Sequence, residues 1–438
     1  MAVVLRPQLR PLEIFPVGPK VEPLIALRDP EAFGETVVLS GGAAMLARLM
    51  DGRRTLLEIQ ATFKSQTGVA AALNDLEAIV RQLDDAYLLA NDRFERHRRE
   101  EIDCYLDNPV RPAWFAGSAY EDEPDDLRRQ LDGLFTAAAG PGATAATPSS
   151  EGRRLSGLIC PHIDPHRGGH TFAWAYKQVA EHCDADLFVI FGTVHNHMEN
   201  LFCVSRKDFD TPLGIVKTDR RFVDRLAGHL ADSVAGRQID PFADELTHRS
   251  EHSIEFQAVF LQHLLGGRRE FRIVPVLVGS FQEFIDEFRD NGAIPDGSPE
   301  VQAFIAAVRS AAAGHTGTVC YIAAADFAHI GSHFGDEHLL DEQRLAAQEA
   351  DDRRLLEAAC RCDSAGFFAH VAQQSDRNRI CGLPPTYTML EVLGPQFRGE
   401  LLKYDQAVEP DGTSCVSFAS VAFHGPAQKK GPGPYLAR

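Results

Sequence analysis

The second half of the chain alternates short, unbroken apolar runs with amphipathic helical patterns. No other feature of the sequence constrains the fold as tightly. The runs are residues 155–161 (LSGLICP), 185–192 (ADLFVIFG), 271–280 (FRIVPVLVGS) and 317–327 (GTVCYIAAADF). Apolar runs of this length that do not alternate with polar residues read as strands buried on both faces. Helical periodicity fills the gaps, at residues 171–183, 219–230, 251–265 and 301–313. Strands and helices in turn imply an α/β domain, a mostly parallel sheet with helices on both faces. Two further strands, Leu401–Val408 and Ser414–His424, follow a helix and are expected to pair antiparallel at one edge.

The first hundred residues follow another pattern. Residues 36–40 (TVVLS) read as a short strand, broken by Gly41-Gly42 and followed by a short helix. Asp51-Gly52 is a turn signal. Thr55 with Glu58 three residues on is a capping box. Leu56, Ile59 and Phe63 then form an apolar stripe, as do Leu73, Leu76, Ile79, Val80 and Leu83 at helical spacing. These stripes predict a small packed core. Residues 91–112 are charged and helical, and Glu123–Ala138 reads as another amphipathic helix. The Gly, Pro and Ser-rich stretch after it is the clearest linker signal in the chain. The expected division is a module over 1–112, helix and linker over 113–153, an α/β domain over 154–424 and a loose tail over 425–438.

The chain has 438 residues, with 44 Lys+Arg against 62 Asp+Glu, a net charge of −18. An acidic surface argues against nucleic acid or an anionic membrane as partner. No apolar run approaches the ~18 residues of a membrane span, and the N-terminus has no signal-peptide pattern. The nine cysteines include no CxxC pair, and several lie within apolar runs. This usage suits a reduced, cytoplasmic protein.

Polar residues gather where the predicted strands end, which is where open α/β sheets bind ligands. The first run leads into His162, Asp164 and His166, the second into His195, Asn196 and His197, and the last into Asp326 and His329. A single histidine at such a place is usually structural, but three converging loops point to a metal site. Imidazole is a common metal ligand whose second nitrogen needs an oxygen partner. Asp164 and Asp326 are the candidates for that partner. Residues 250–255 (SEHSIE) open a helix, with His252 and Glu255 on one face. Glu251 is equally explained by the favourable field of a helix start. Cys381 lies in a Gly/Pro-rich turn before a helix, where a thiol is either inert or a soft metal ligand. Cys360 and Cys362 read as incidental.

The order of the segments ICPH, AYKQ, FGTVHN, TPLG, SEHSIEFQ, IVPVLVGS, AADFAHIG and ICGLPP resembles the Memo-like family, also called AmmeMemoRadiSam system protein B. The likeness covers nearly all of residues 155–424. It implies a fold related to class III extradiol dioxygenases and an iron, or another transition metal, held by His162, His195 and Cys381. Asp326, His329, His252 and Glu255 would line the same pocket. Where the family usually has Ala-Gly-Tyr after its first metal histidine, this chain has Ile163-Asp164-Pro165-His166. The family's His-His pair is here His195-Asn196-His197, so His197 is the alternative second ligand. Within residues 27–89, the segments TVVLSGGAAMLARLMDGRRTLLEIQ and DLEAIVRQLDDAYLL, with Asp29 before them, resemble the PqqD-like winged-helix domain. That resemblance implies binding of a leader peptide or a partner enzyme.

Two imidazoles and a thiolate suit Fe(II), zinc or copper, and the resemblance favours Fe(II). The expected function is a mononuclear non-haem iron, dioxygenase-like oxidoreductase acting on a small molecule or peptide, in which His329 or His252 moves protons and Asp326 orients a histidine. A radical enzyme is a possible partner. A non-catalytic metal- or peptide-binding adaptor is the competing reading. A zinc hydrolase is a third, unsupported by any HExxH or GxSxG motif.

Overall fold

The computed structural model describes residues 6–18, 24–144, 154–233 and 239–425. Part of the expected linker and, from residue 426 on, the expected tail lie outside the described residues. Contacts divide the chain into two units, Met1–Asn108 and Pro109–Arg438.

The first unit has an antiparallel sheet, β1 (Glu13–Val17), β2 (Leu24–Arg28) and β3 (Val37–Leu39), in that order. Four helices follow: α1 (Gly41–Arg48), α2 (Leu56–Thr67), α3 (Leu73–Asp85) and α4 (Asp92–Asp107). The Thr55–Glu58 capping box forms on α2, and Gly68 ends the helix at φ 74°. Ile59, Phe63, Leu76, Val80 and Leu83 are buried with Leu27, Val37 and Leu39, so the apolar stripes are the core faces. Asp29 is buried as well, accepting from the Arg10 guanidinium and from the Phe33 and Gly34 N–H groups.

The second unit starts with β4 (Val110–Arg111) and α5 (Pro124–Thr136). Next come β5 (Leu155–Cys160), α6 (Pro165–His182), β6 (Leu187–Thr193), β7 (Phe202–Val204) and β8 (Asp208–Phe209). They are followed by α7 (Arg220–Ser233), α8 (His252–Leu265), β9 (Arg272–Val278), α9 (Gln282–Asn291) and α10 (Pro299–Ala313). The remainder is β10 (Val319–Ala324), β11 (Asp326–Ile330), α11 (Glu342–Cys360), α12 (Ser364–Ala372), α13 (Leu383–Leu393), β12 (Arg398–Val408) and β13 (Cys415–His424).

Strands β5, β10, β6 and β9 are parallel neighbours at the centre of an eight-stranded sheet. Alternate residues of each strand face opposite cores. Val189 and Phe191 pack with α7, α10 and α13, while Phe188 and Ile190 pack with α5, α6 and α8. The α/β fold with both faces covered is as the apolar runs predict.

One expectation gains a detail and one changes. The C-terminal strands pair antiparallel at one edge, where β12 is outermost and β13 lies within the sheet. One side of it carries β12; the other pairs with β5 through Val421–His424 and with β11 through Cys415–Phe418. Its near-complete burial accounts for the unbroken apolar character of CVSFASVAFH. The boundary also falls earlier than the linker signal suggests. Residues 109–136 belong to the second unit: β4 pairs with β8, and Tyr120, Leu127, Leu131 and Phe135 are core residues. The polar look of this stretch is its outer face. Its buried residues are spaced as an amphipathic helix spaces them.

Candidate metal centre

Strand β10 runs parallel beside β5 as far as Ala324. After Ala325 the chain turns away to pair, as β11, with β13. The sheet therefore opens just past the carboxyl end of β5, where His162 lies. His162 is 2% exposed. Its Nδ1 lies 3.0 Å from the Ala324 carbonyl oxygen and donates to it, which makes Nε2 the lone-pair nitrogen, facing Cys381. Asp326 Oδ1 accepts from the His162 backbone N–H at 3.0 Å. A bulge in β11 between Asp326 and His329 releases the Ala328 N–H from the ladder, and Ser417 Oγ accepts it at 2.9 Å.

His195 follows β6. Its backbone N–H and its Nδ1 both donate to Glu251, at 2.9 and 3.1 Å, so its Nε2 is the lone-pair nitrogen as well. Glu251 is the N-cap of α8 and also accepts from the Ser253 N–H. Helix α8 reaches this close because residue 192 is glycine: a Cβ there would lie 2.6 Å from atoms of Ser253 and Ile254. The Ser253 hydroxyl donates to the Thr193 carbonyl, and Gln257 Nε2 donates to the Pro161 carbonyl, so one helix supports both histidine loops.

Cys381 enters from the turn before α13. Gly382 N–H donates to the Asp326 carbonyl, and a Cβ on Gly382 would sit 2.3 Å from that oxygen. Only glycine allows the turn to lie on β11. Cys381 Sγ comes within 3.4 Å of His162 Nε2. The ligand atoms of His162, His195 and Cys381 all lie within 4.8 Å of one another. His195, Glu251 and His252 form a second group of the same compactness. The three imidazoles cluster, with ring centroids 5.2 Å apart for His162 and His195 and 4.8 Å for His195 and His252.

The electrostatics follow from burial. Desolvation, with His195 nearby, drives His162 down to about 3, so it is neutral and ready to donate a lone pair. Burial takes His252 down to about 3 as well. At His195, desolvation is outweighed by the Glu251 carboxylate, and the net shift is upward. Burial works to raise Glu251, but His195 and His252 beside it hold it well below the ordinary carboxylate range. Burial pushes Asp326 up to about 6 and the Cys381 thiol well above its usual value, with Asp326 adding to the latter. The lone-pair nitrogens of two imidazoles and the Cys381 sulfur thus face one another, a donor set that with the thiol deprotonated suits a cation.

His162, His195, Cys381, His252 and Asp326 thus come together. His329 lies on the same strand as Asp326, its Nδ1 held between the Phe327 and Arg379 carbonyl oxygens, and burial lowers its pKa. His197 and His166 are exposed, and neither belongs to the compact groups among the described residues.

Glu255 is a departure from expectation. Its carboxylate accepts from Arg111, from the Tyr120 hydroxyl and from the Trp114 and Phe115 N–H groups. It anchors residues 111–120 and has no free oxygen to offer the site. Asp164 also differs: it caps α6 through the Arg167 N–H and is hydrogen-bonded to no histidine among the described residues. The oxygen partners of the histidines are Glu251 and the Ala324 carbonyl. A backbone carbonyl leaves no trace in sequence, and Glu251 was masked by its equal suitability as a helix cap.

The sequence model of the family described as Memo-like protein matches residues 111–422. The chain belongs to the Memo family. A MEMO1 family protein of Aquifex aeolicus is 26% identical over 423 residues, covering 96% of this chain and 100% of that protein. One from Methanosarcina barkeri is 28% identical over 311 residues, covering 70% of this chain and 97% of that protein. One from Pyrococcus furiosus is 29% identical over 328 residues, covering 72% and 99%. The two archaeal alignments have about the length of the second unit. The Aquifex alignment is too long to fit without most of the first. The Memo domain is thus found with and without an N-terminal unit.

Proposed function

We propose that the Memo domain binds one transition-metal ion through His162 Nε2, His195 Nε2 and Cys381 Sγ, and that Fe(II) is its working metal in a non-haem oxidoreductase. The observation that carries this reading is the convergence of three ligand atoms within 4.8 Å, each with its surroundings already arranged for donation. Both histidines have Nδ1 engaged by an oxygen, as metal-bound histidines do. Zinc or copper also fits two imidazoles and a thiolate. Three protein ligands leave coordination positions open, as catalytic metal sites do, and an iron there would supply redox and Lewis-acid chemistry.

The protein's own groups have separable parts in this reading. Glu251 fixes the His195 tautomer and ring plane. The Ala324 carbonyl does the same for His162. Asp326, with a carboxyl near 6, holds or releases a proton beside His162 close to neutral pH. His252, neutral and stacked on His195, is a hydrogen-bond donor or proton acceptor for a molecule in the site. A cavity of about 300 Å³ that includes His195 and Cys381 in its wall gives such a molecule access.

The test is metal content after anaerobic purification, with Cys381→Ala and His162→Ala beside the wild type. The expected result is about one iron per chain, lost in both variants. Wild-type protein that takes up no metal when Fe(II) is offered would remove the basis for an enzyme and leave a binding module. Metal-loaded protein that consumes no O₂ with reductants or phenolic substrates would favour the adaptor reading. The N-terminal unit, whose sequence resembles a peptide-recognition domain, is the reason to include peptides among the substrates and a radical enzyme among the partners. Retention of a candidate leader peptide by the full chain tests that part.

A further inference from the structure

The cavity beside His195 and Cys381 has a wall whose chemistry the metal site does not use. One side is apolar, formed by Phe281, Ile285 and Leu383. The other is the turn that carries Cys381, with Asp376 and Arg379. The chain adopts this turn at a conformational cost. Ser375, Asp376 and Arg379 have φ of 51°, 44° and 52°, a region that side chains other than glycine rarely occupy. Strain of this kind persists where the surroundings impose it, and it gathers at binding sites.

The two charged groups of the turn differ in how far they are satisfied. Arg379 is committed: its guanidinium donates to the His329 carbonyl at 2.9 Å and to Asp336 Oδ1 at 2.8 Å. Asp376 Oδ1 accepts from the Ile380 N–H at 2.7 Å. Its Oδ2 has no hydrogen-bond donor among the described residues. Glu251 and Asp326 stand behind the histidines. Arg379, the one guanidinium in the lining, already has an anionic partner.

We propose that this cavity binds a small molecule with an apolar body and a cationic amine, the amine paired with Asp376 and the body against Phe281, Ile285 and Leu383. The inference deepens the metal-centre reading and rests on it only for the role of the bound molecule; binding itself depends on the cavity. A volume of about 300 Å³ is at the small end of the range for ligand sites, which limits the body to about one ring. Complementary charge discriminates among ligands of equal shape. A carboxylate in place of the amine would meet Asp376 with like charge.

The test is calorimetric titration of the full chain with tyramine, p-cresol and 4-hydroxyphenylacetate, three probes that share a ring and differ in charge. Metal content is measured on the same sample. Tyramine is expected to bind about tenfold more tightly than p-cresol, with 4-hydroxyphenylacetate weakest. Asp376→Asn is expected to bring tyramine down to the level of p-cresol. The tripeptide Tyr-Gly-Gly separates the two sources of this chemistry. If it binds as tightly as tyramine, the source is a peptide amino terminus; if it does not, it is a free amine. Three results overturn the inference: equal or tighter binding of the carboxylate, no binding of tyramine, or a tyramine preference that survives Asp376→Asn. Protein that takes up metal but not tyramine defeats this inference alone. Protein that binds tyramine but no metal defeats the metal reading and leaves the cavity assignment standing.

Discussion

Replacing Glu251 with Gln tests the architecture of the proposed metal centre without touching a proposed ligand. The Glu251 side chain is 2% exposed and accepts both the backbone N–H and the Nδ1–H of His195. Glutamine keeps the length and one acceptor oxygen but removes the charge that makes His195 a stronger donor. Loss of such an outer partner typically weakens metal affinity by about 10–100-fold, or about 1.4–2.8 kcal/mol. The pH dependence gives a second, independent sign. A ligand histidine must be neutral, and Glu251 raises the His195 pKa in the metal-free protein. In the wild type, protons therefore begin to compete with metal at a higher pH than in the variant. The ratio of variant to wild-type Kd should be largest near pH 8 and shrink as the pH falls towards 6. Competition of Co(II) or Fe(II) against a chelating dye, run anaerobically across that range, reads the ratio directly. Circular dichroism confirms that the α8 cap survives. An unchanged Kd at pH 8, or a ratio that grows on acidification, would refute the assignment of Glu251 as the group that orients His195.

Three further outcomes follow from the same geometry. His195→Ala should abolish metal uptake whereas His197→Ala should not, because both are exposed but only His195 belongs to the ligand cluster and is held by Glu251; equal losses on elemental analysis would reverse the choice of second ligand. Arg111→Met leaves Glu255 buried without its ion-pair partner and should cost about 3–5 kcal/mol in urea unfolding, a transition midpoint near that of the wild type being the contrary result. The Asp326 carboxyl is raised to about 6 by burial, above its ordinary 3.8, so in metal-free protein it opposes folding once it ionises. Protonated in both states at low pH, it costs nothing there. The penalty grows as pH rises from about 4 and is complete above about 6, reaching about 3 kcal/mol. Asp326→Asn should accordingly raise the melting temperature at pH 7.5 and leave it nearly unchanged at pH 4; stabilisation of equal size at both would show that the effect is not ionisation.

Some of this protein could be read from its residues alone. The strands β5, β6, β9 and β10 announce themselves because a parallel sheet covered on both faces needs apolar residues at every position. Helix α2 does so because Thr55 and Glu58 satisfy the helix start locally. The metal-ligand candidates are legible for a related reason: His162 and His195 each follow such a strand directly, and Cys381 stands in a turn rather than in an apolar run. What tertiary structure decided are the pairings that no local pattern encodes. Arg111 and Glu255 are 144 residues apart, and only the packing of β4 beside α8 shows that this glutamate anchors a loop and does not serve the site. Tertiary structure also decided that Glu251 reaches the His195 imidazole. The place of β13 inside the sheet depended on β11 leaving the parallel ladder after Ala324. Sequence determines what a segment can become when the forces act within a turn or a strand. Which of several equally suitable polar residues meets a partner is settled only when distant segments are brought together, because hydrogen bonds and ion pairs act over a few ångströms of space and not along the chain.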